Sequence, residues 1–584
     1  MTPAQTAVAV QDLIWYWADT APETTAVIDT TGAAVTYQEL ADAADAAAAD
    51  LAAGGVTAEH VVGVAYPRAV DGLVQLLGVW RAGGAVLCLD PAWPVARLRD
   101  MIARCGVRHL RTARPIPGLT APAPHTGIGI GADAVPAVRG PLCYVVCTSG
   151  STGTPRGVLI EHPGAVNMAT ALADRFAVGP GTRVLQFAAW SWDAAMGEIL
   201  MTLTAGGTLV LAPPHVRHGG PALARLLRDA RVEVATLTPS VLAALPAHNL
   251  PDLRTVVAVG EVCPPRLVTR WTAPHRRVCN GYGPTETTVA ATIGDLRPGE
   301  PVHIGTPLPG VTVQVVDHHD QPLPTGMPGE LLIGGIGVAR GYAADPAATA
   351  ARFTTDPAGR RWYRTGDLAA RRGDGTLTFL GRADDQIKVR GHRIDPAEVE
   401  HVLAGHPAVA ACAVVTTGHR LTAYIVTSHA PTTAADVARA AEEIRGHAAA
   451  VLPAFAVPAT VRVVAALPLT DGGKTDRDAL RHWATSAATP APAQDPPAEG
   501  TLPRVLQVVA AALDQPVDAD TDVIDAGGHS LLIAQLCVAL SDTFAVDVPY
   551  LTVARNPTPA GLAAAIDELT ATGHTAGGVP SAAA

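Results

Sequence analysis

Residues 148–157 form a segment whose glycines and hydroxyl side chains suit phosphate binding. The segment reads TSGSTGTPRG, and it follows an apolar stretch, LCYVV, that is typical of a β-strand. Such a loop can bend tightly and offer backbone N–H and hydroxyl donors to phosphate oxygens. It lacks the Walker A pattern G-x-x-x-x-G-K-[ST]. A serine- and glycine-rich loop alone is more often a simple connection, but this order of residues after a strand is much rarer.

A second segment, NGYGPTETT (Asn280–Thr288), holds an aromatic ring, a hydroxyl and a carboxylate close together. Tyr282 offers a flat face to a nucleotide base, and Thr285 can donate a hydrogen bond to a phosphate. Glu286 supplies a hard oxygen ligand suited to Mg²⁺. The same residues also suit a turn followed by an N-capped helix, and both interpretations can hold together.

Three further segments carry a carboxylate and the two lysines of an arginine-rich chain. YRTGDL contains Asp367, which can accept hydrogen bonds from both hydroxyls of a ribose, although TGD is also a common turn. Among 42 basic residues only two are lysines, Lys388 in DQIKVRG and Lys474 in LPLTDGGKTDRDAL. A lysine retained in such a background indicates a site that needs a compact ammonium on a flexible stem. The alternative is chance, because two residues of any type must lie somewhere.

Length, charge and composition limit the class of protein. A chain of 584 residues, 48% of them hydrophobic, predicts roughly two to four folding units with large cores. The net charge of −11, without a basic run, argues against nucleic acid as a partner. The N-terminus lacks a signal-peptide pattern, and no apolar run reaches the roughly eighteen residues that span a membrane. Eight scattered cysteines without a C-x-x-C pair predict reduced thiols and a cytoplasmic protein.

Short apolar strands alternate with helical stretches from about residue 25 to residue 380. VVGVAY, AVLCLD, CYVVCTSG, TLVLAP, VEVATLTP and TVVAVG are strand-like, and PALARLLRDAR has helical periodicity. This alternation predicts an α/β domain with mainly parallel sheets. A smaller unit of strands and helices and a Pro/Ala-rich linker follow. Helical periodicity after the linker predicts a small bundle, and the C-terminal tail has the composition of a disordered segment.

These segments occur in the order and at the spacings of the adenylate-forming enzymes. Over residues 10–483 the chain resembles most closely the adenylation domains of nonribosomal peptide synthetases. VTYQEL (Val35–Leu40), RAGGAVLCLDPAWP (Arg81–Pro94) and GELLIGGIGVARGY (Gly329–Tyr342) match further motifs of that family. DTDVIDAGGHSLL (Asp520–Leu532) resembles the attachment motif of a peptidyl carrier domain.

The resemblance implies a large α/β N-terminal subdomain, a smaller mobile α+β subdomain and an all-α carrier domain of four helices. The expected bounds are 1–383 for the large subdomain, 384–483 for the small one, 484–500 for the linker, 501–570 for the carrier and 571–584 for the tail. Because no segment remains for a condensation or thioesterase domain, we expect a stand-alone adenylation–carrier didomain.

The resemblance also implies a reaction in two halves. An amino acid carboxylate attacks the α-phosphorus of ATP in the presence of Mg²⁺, which gives an aminoacyl adenylate and pyrophosphate. A thiol on a 4′-phosphopantetheine arm then displaces AMP and leaves a thioester. In the family, the lysine at the position of Lys474 contacts the substrate carboxylate and oxygens near the α-phosphate. Ser530 carries the arm, Lys388 faces the thiol in the second half, and Asp384 is the hinge of the small subdomain.

The nucleotide site implied by the resemblance combines the glycine-rich loop with the later motifs. Its ATP- or AMP-binding residues are Thr148, Ser149, Gly150, Ser151, Thr152, Gly153, Arg156, Tyr282, Thr285, Asp367 and Arg382. The expected catalytic residues are Thr148, Glu286, Lys388 and Lys474, and Glu286 is the expected Mg²⁺ ligand. The chain departs from the family pattern at Arg156, where many relatives have lysine, at Asp471-Gly472-Gly473, where Asn-Gly is usual, and at Val523 and Ile524, where the carrier motif has phenylalanine. Charge and apolar character are retained.

FAAWSWDAAMGEIL (Phe187–Leu200) matches the segment that selects the substrate in this family. Asp193 aligns with the carboxylate that binds the α-ammonium group, which favours α-amino acids over fatty or aryl acids. The other pocket positions are Ala194, Gly197, Thr236, Val257, Val259, Gly281, Val289 and Ala290, closed by Lys474. Such walls favour a large apolar side chain and leave a charged one unpaired. We expect an aromatic substrate, with tryptophan ahead of tyrosine and phenylalanine because Gly197 leaves room for an indole.

Two alternatives stand beside this interpretation. An acyl- or aryl-CoA ligase of the same superfamily is disfavoured by Asp193 and the fused carrier. A non-catalytic scaffold that only presents Ser530 is disfavoured by the complete set Thr148, Glu286, Asp367 and Lys474. The expected partners are a phosphopantetheinyl transferase and a downstream tailoring enzyme or synthetase module, without nucleic acid or membrane. The sequence leaves open whether a small MbtH-like activator also binds.

Overall fold

The computed structural model describes most of the chain. The described residues are 9–119, 140–149, 155–216, 219–383, 387–389, 392–417, 420–428, 433–468, 475–486, 500–513, 517–523, 530–544, 546 and 548–571. No helix within these ranges is long and apolar enough to cross a membrane.

The large N-terminal part contains both strands and helices, in the alternation that the sequence predicts. Its helices are α1 (Val10–Thr20), α2 (Tyr37–Ala53), α3 (Val70–Arg81), α4 (Val95–Arg104), α5 (His162–Phe176), α6 (Asp193–Leu203), α7 (Gly220–Asp229), α8 (Pro239–Ala243), α9 (Pro265–Trp271) and α10 (Pro346–Arg352). Its first strands are β1 (Thr25–Ile28), β2 (Ala34–Thr36), β3 (Val61–Ala65), β4 (Ala85–Cys88), β5 (Val107–Thr112), β6 (Leu142–Thr148), β7 (Arg156–Glu161), β8 (Arg183–Gln186), β9 (Thr208–Leu211) and β10 (Val234–Leu237). The later strands are β11 (Thr255–Val259), β12 (Arg277–Tyr282), β13 (Thr292–Leu296), β14 (Thr306–Pro307), β15 (Val311–Val316), β16 (Pro328–Gly335), β17 (Gly341–Tyr342), β18 (Phe353–Thr355), β19 (Arg361–Arg371) and β20 (Leu377–Arg382).

These strands form three sheets. Nine strands pair in the order β14-β13-β12-β11-β10-β8-β9-β1-β2, and six in the order β17-β7-β6-β4-β3-β5. Strands β8, β9, β10, β11 and β12 of the first sheet and β3, β4, β5 and β6 of the second pair in parallel with their neighbours in these two groups. Most of their residues are buried, which explains their continuous apolar sequences. The third sheet, β15-β16-β19-β18 with β20 on β19, is antiparallel. The predicted α/β class is confirmed, and the third sheet adds an antiparallel part.

The register of three central strands determines where the pocket residues lie. Thr236 in β10 pairs with Val257 in β11, and Val259 pairs with Gly281 in β12. All three strands are parallel, so their carboxyl ends meet at one edge of the nine-stranded sheet. Ligands of open parallel sheets bind at this edge. Residues far apart in the sequence are thereby brought to one place.

The small C-terminal part is built from short strands and helices around its own core. Its strands are β21 (Ile387–Val389), β22 (His392–Ile394), β23 (Val409–Thr417), β24 (Arg420–Thr427) and β25 (Thr460–Val463), and its helices are α11 (Pro396–Ala404), α12 (Ala434–Ala449) and α13 (Arg477–Ser486). β21 and β22 form a separate antiparallel pair, and β23, β24 and β25 form a sheet. Val399, Val414 and Ile444 are among the buried residues that join these helices to the sheet.

Four helices follow within the described residues, as expected for a carrier domain. They are α14 (Thr501–Leu513), α15 (Ser530–Phe544), α16 (Tyr550–Arg555) and α17 (Pro559–Ala571). Their core contains Val505, Leu536 and Leu562, each fully buried. α15 lies against α7 and α8 of the large N-terminal part. Sequence periodicity predicts three of these helices, and it misses α16 because six residues are too few to show a helical repeat.

Candidate active site

A cavity of about 720 Å³ lies at the carboxyl ends of β10, β11 and β12. All nine residues expected to form the amino acid pocket line it: Asp193, Ala194, Gly197, Thr236, Val257, Val259, Gly281, Val289 and Ala290. Thr148, Ser149, Tyr282, Thr285, Asp367 and Arg382, expected at the nucleotide, line the same cavity. The expected amino acid and nucleotide positions are therefore continuous in space.

Eight further expected site residues are either outside the described residues or described only by their backbone. Gly150, Ser151, Thr152, Gly153, Asp384 and Lys474 lie outside the described residues. Lys388 lies at the centre of β21, and Ser530 is the first residue of α15; only the backbone is described at these two positions.

Asp193 is linked directly to the segment expected to bind phosphate. It is the first residue of α6, where the partial positive charge of the helix N-terminus stabilises a carboxylate. The hydroxyl of Thr285 donates a hydrogen bond of 2.6 Å to Asp193 Oδ2. The carboxylate is therefore oriented by a side chain from the turn that follows β12.

A second carboxylate, Asp367, is held by two donors on opposite oxygens. The hydroxyl of Tyr282 donates to Oδ2 at 2.5 Å, and the guanidinium of Arg382 donates to Oδ1 at 2.5 Å. Burial, with Asp367 close by, raises the pKa of Tyr282 well above its ordinary value, so the hydroxyl keeps its proton. Arg382 also donates to the carbonyl oxygen of Thr365. Tyr282, Asp367 and Arg382 form one rigid group at the cavity wall.

Glu286 is a buried carboxylate in a short 3₁₀ turn after β12. It is 1% exposed, and the hydroxyl of Tyr342 donates to its Oε1 at 2.8 Å. The guanidinium of Arg156 lies over the ring of Tyr342, 5.5 Å from its centre, and pairs with Asp345 at 3.3 Å. Mg²⁺ in nucleotide sites takes one or two protein carboxylates together with phosphate oxygens and water. A single fixed carboxylate, in a turn that contacts β7, fits that ligand set.

The comparisons with known proteins identify the family. Residues 14–343 match the family model of the AMP-binding enzymes. The chain belongs to the AMP-binding enzymes. Residues 398–474 match the C-terminal domain of these enzymes, and residues 503–566 match the phosphopantetheine attachment site. The protein is thus an adenylation domain followed by a carrier domain, an AMP-forming ligase that uses ATP with Mg²⁺ and carries 4′-phosphopantetheine for thioester formation.

Curated relatives of this AMP-binding enzyme are biosynthetic proteins. It is 37% identical over 573 residues to novobiocin biosynthesis protein H of Streptomyces niveus, with 93% of each chain covered. It is 39% identical over 564 residues to phosphinothricin tripeptide synthetase PhsC of Streptomyces viridochromogenes, covering 91% of this chain and 50% of the relative. It is 36% identical over 566 residues to bacitracin synthase 3 of Bacillus licheniformis, covering 92% and 9%. The chain spans half or less of these two larger synthetases.

Solved structures give the same architecture. Holo-PA1221, a nonribosomal peptide synthetase protein with adenylation and carrier domains bound to a vinylsulfonamide inhibitor, superposes with a TM-score of 0.76 at 26% identity, covering 97% of this chain and 99% of that one. The artificially fused adenylation–carrier di-domain NpsA-ThdA from Klebsiella oxytoca gives 0.66 at 26% identity, covering 96% and 98%. The family predicted from the motifs is confirmed.

The cavity of this AMP-binding enzyme is also lined by a buried acid, Glu198, that the motifs did not single out. Glu198 is 1% exposed, and it accepts hydrogen bonds from the Gln186 side chain and from the backbone of Phe187 and Ala188, at 2.9 to 3.1 Å. It thereby fixes the loop that leads to Asp193. Burial raises the pKa of Glu198 to about 8. The sequence does contain a sign of this role, because Glu198 is an acidic residue within the otherwise apolar helical segment AAMGEIL.

The small C-terminal part covers one side of the cavity. His392 stacks on Phe455 with ring centres 3.9 Å apart, and both rings meet Trp192, the residue before Asp193. Arg97 of α4 pairs with Glu398 of α11 at 2.7 Å, with both side chains largely buried. These contacts hold β22 and α11 against the edge of the pocket. No local pattern in the sequence predicts them, because each joins residues that are far apart in the sequence.

Proposed function

We propose that this adenylation–carrier didomain activates an aromatic α-amino acid with ATP and loads it as a thioester onto its own carrier. The observation that carries the proposal is the cavity at the ends of β10, β11 and β12. There a carboxylate, Asp193, stands beside eight pocket residues that are apolar, glycine or threonine. We further propose that the loaded residue enters a peptide-like natural product, as the names of the relatives suggest, and that the didomain works as a stand-alone unit.

Asp193 supports an amino acid rather than a fatty or aryl acid. A half-buried carboxylate at the N-terminus of α6 can pair with an ammonium group, and its hydrogen bond from Thr285 fixes its orientation. An acid without an amino group would make no ionic contact with this carboxylate. The α-ammonium of the substrate supplies that contact.

The pocket walls support a large apolar side chain. Val257, Val259 and Val289 present methyl groups, and Val289 and Val259 pack into the space that Gly197 and Gly281 leave. Burying apolar surface stabilises a bound side chain by about 25 cal/mol per Å². A charged side chain would lose its water and find no partner among these walls. An aromatic ring, with tryptophan first and tyrosine and phenylalanine next, combines size with apolar character.

The chemistry of the first half requires positioning and neutralisation of charge. Glu286 would hold Mg²⁺, which neutralises phosphate charge when bound, and Arg156 together with the loop 148–153 would contact the released pyrophosphate. Asp367 would accept from the ribose hydroxyls, beside Tyr282. Lys474 would bridge the substrate carboxylate and the α-phosphate. The two substrates thereby meet at the junction of their sites.

The second half requires the carrier. We propose that Ser530, at the start of α15, bears the phosphopantetheine, whose thiol is the acceptor for the activated acid. We propose that Lys388 in β21 faces this thiol and that Asp384 is the hinge that lets the small domain change position between the halves. A phosphopantetheinyl transferase must act first on Ser530. A tailoring enzyme or a synthetase module would then receive the aminoacyl group.

Amino-acid-dependent exchange of pyrophosphate into ATP tests the first half directly. We would measure it for the twenty common amino acids, with and without an MbtH-like protein. A strong signal with one aromatic amino acid supports the enzyme class and the pocket together. A signal only with a small or charged amino acid would overturn the aromatic assignment and leave the class standing. Exchange driven by acids that lack an amino group would favour the acyl- or aryl-CoA ligase.

Intact-protein mass spectrometry tests the second half. After treatment with a phosphopantetheinyl transferase and coenzyme A, followed by ATP and the amino acid, the wild type should gain the masses of the arm and of the aminoacyl group. Ser530→Ala should keep pyrophosphate exchange and gain neither mass. An unchanged mass gain on Ser530→Ala would show that the arm is attached to another residue.

We propose that both half-reactions take place in the cytoplasm, since the eight cysteines of the protein are free thiols.

A further inference from the structure

Two consecutive β-branched residues beside the pocket adopt the left-handed backbone conformation. Thr288 has φ +61° and Val289 has φ +66°. A branched Cβ clashes with the backbone in this region, so residues of this type rarely adopt it. Such strain persists only where surrounding contacts impose it, and it concentrates at functional sites. The contacts around Thr288 and Val289 identify what imposes it here.

The hydroxyl of Thr288 is the contact that holds the turn. It donates a hydrogen bond of 2.6 Å to the carbonyl oxygen of Gly337, in the segment after β16, and the side chain is 1% exposed. The absence of a side chain at Gly164 makes room for it, because a Cβ built there would lie 3.1 Å from the hydroxyl oxygen. The Thr288 side chain is therefore enclosed by the backbone at Gly164 and Gly337.

The backbone on both sides of the turn is fixed as well. The amide of Ala339 donates to the carbonyl of Glu286 at 2.9 Å, and the amide of Ala291 donates to the carbonyl of Tyr282 at 2.9 Å. Between these two anchors the amide of Ala290 donates to the carbonyl of Thr288 at 2.8 Å. The chain between the anchors thus makes one tight left-handed turn.

The turn determines where the Val289 side chain stands. A Cβ built on Gly197 would lie only 3.0 Å from Cγ1 of Val289, so the valine occupies the space that Gly197 leaves open. The two residues belong to the proposed amino acid pocket, and they lie next to each other in its lining. The depth available to a substrate side chain at this point is therefore the depth that Val289 permits.

We infer that Thr288 is a positioning residue for substrate selection. Its hydrogen bond to Gly337 holds Thr288 and Val289 in the left-handed conformation. The resulting position of Val289 beside Gly197 limits the depth of the pocket. Thr288 itself contributes no atom to the cavity. The selectivity consequence rests on the proposed amino acid pocket, whereas the conformational statement stands without it.

Thr288→Val tests the inference, because it keeps the shape of the side chain and removes the hydroxyl. Thr288→Ser keeps the hydroxyl and removes the methyl group. Thr292→Val is the matched control, since the Thr292 hydroxyl is also fully buried and donates to a backbone carbonyl, that of Ile304, at 2.6 Å, but from an ordinary strand position in β13. Thr288→Ala replaces Thr288→Val if the latter does not fold.

Crystal structures of these variants give the first readout. We expect Thr288→Val to release residue 289 from positive φ and to move the Val289 side chain away from Gly197, while Thr288→Ser and Thr292→Val retain the turn. An unchanged φ and an unchanged Val289 position in Thr288→Val would overturn the inference. This readout does not depend on which acid the protein activates.

The ratio of kcat/KM for tryptophan to that for phenylalanine, from pyrophosphate exchange, gives the second readout. We expect this ratio to rise at least about tenfold in Thr288→Val, because one layer of methyl groups in a pocket discriminates by about 10- to 200-fold. KM for ATP should stay near the wild-type value, and Thr288→Ser should stay within about twofold of the wild-type ratio. An unchanged ratio in Thr288→Val, or an equal change in Thr292→Val, would overturn the selectivity role. If the wild type shows no pyrophosphate exchange with either amino acid, the aromatic assignment is overturned. The crystal structures would then still decide whether Thr288 holds the turn.

Discussion

The hydroxyl of Thr285 donates a hydrogen bond of 2.6 Å to Asp193 Oδ2, and this bond joins the two halves of the candidate active site. Thr285 belongs to the turn after β12, next to Glu286, and Asp193 opens α6. The group proposed to bind the amino acid and the turn proposed to bind phosphate and metal are thus in direct contact. The hydrogen bond from Thr285 fixes the orientation of the Asp193 carboxylate.

Asp193→Asn should raise KM for the amino acid by about 30-fold or more, because it removes the charge that pairs with the α-ammonium and keeps the shape. KM for ATP should change little. Pyrophosphate exchange at varied amino acid and ATP concentrations separates the two constants. Asp295→Asn, an exposed carboxylate paired with Arg175, is the control and should keep both values. Equal loss in both KM values would argue that Asp193 acts on the fold rather than on the amino acid.

Reversing one charge of the Arg97–Glu398 pair should separate the small domain from the large one. The two groups lie 2.7 Å apart with side chains 10% and 5% exposed, and burial raises the pKa of Glu398. Two like charges there would be desolvated and repelled, so Arg97→Glu or Glu398→Arg should increase the radius of gyration measured by small-angle X-ray scattering.

The double reversal should bring the radius of gyration back toward the wild-type value. The exposed pair Arg445–Glu442 in the small domain offers the control, since its reversal leaves the domain contact untouched. Identical scattering from the single and double reversals would show that this ion pair does not hold the domains together.

His162 should make the protein lose stability as the pH falls below neutral. It is 2% exposed, its Nδ1 accepts the amide of Val10 at 3.2 Å, and burial lowers its pKa to about 4 from an ordinary value of 6.5. The unfolded chain binds the proton more tightly, so the contribution is complete above pH 6.5 and is lost as the pH falls from 6.5 toward 4. The full loss is about 3 kcal/mol. Chemical denaturation at pH 7.5 and 4.5 measures it.

His162→Gln is the variant that checks this assignment, because its amide oxygen can still accept from Val10 and does not titrate in this range. The difference in unfolding free energy between the two pH values should shrink by most of that amount in the variant. A difference as large as in wild type would assign the acid sensitivity to other groups.

Lys474→Ala should reduce adenylation by about 10²-fold or more, as loss of a charge contact in the transition state does. Transfer from supplied aminoacyl adenylate to the carrier should be largely spared. Lys474→Arg tests the shape of the cation, and we expect it to restore little, because a planar guanidinium cannot meet several oxygens as a compact ammonium does. Equal losses in both half-reactions would contradict a role confined to the first.

Much of the fold and the site was accessible from the sequence, for a physical reason. Buried parallel strands have continuous apolar sequences, which is why β4, β6 and β11 are predictable. The resemblance to the adenylation domains then identifies Thr236, Val257 and Gly281 as pocket positions. Parallel pairing then brings the carboxyl ends of neighbouring strands, and with them these pocket residues, to one edge of the sheet.

Other features depend on contacts that local sequence does not encode. Arg97 and Glu398 are 301 positions apart, and nothing around either residue indicates the other. The left-handed turn at Thr288 conflicts with the intrinsic preference of threonine and exists only because Gly337 and Gly164 meet it in space. Likewise, Tyr282 was expected to offer its face to a base, and its hydrogen bond to Asp367 could not be read from the motif.

The methyl-lined walls of Val257, Val259 and Val289 also set how faithful the proposed enzyme can be. Thr236 is the one hydroxyl among the eight pocket residues beside Asp193, so these walls sort candidates mainly by volume. A methylene more or less changes binding by only about 1–3 kcal/mol. Ring-fluorinated or ring-methylated analogues that fit the space left by Val289 would therefore be loaded alongside the natural substrate. The composition of the final product would then follow the supply of precursors in the cell, and feeding such analogues would diversify it.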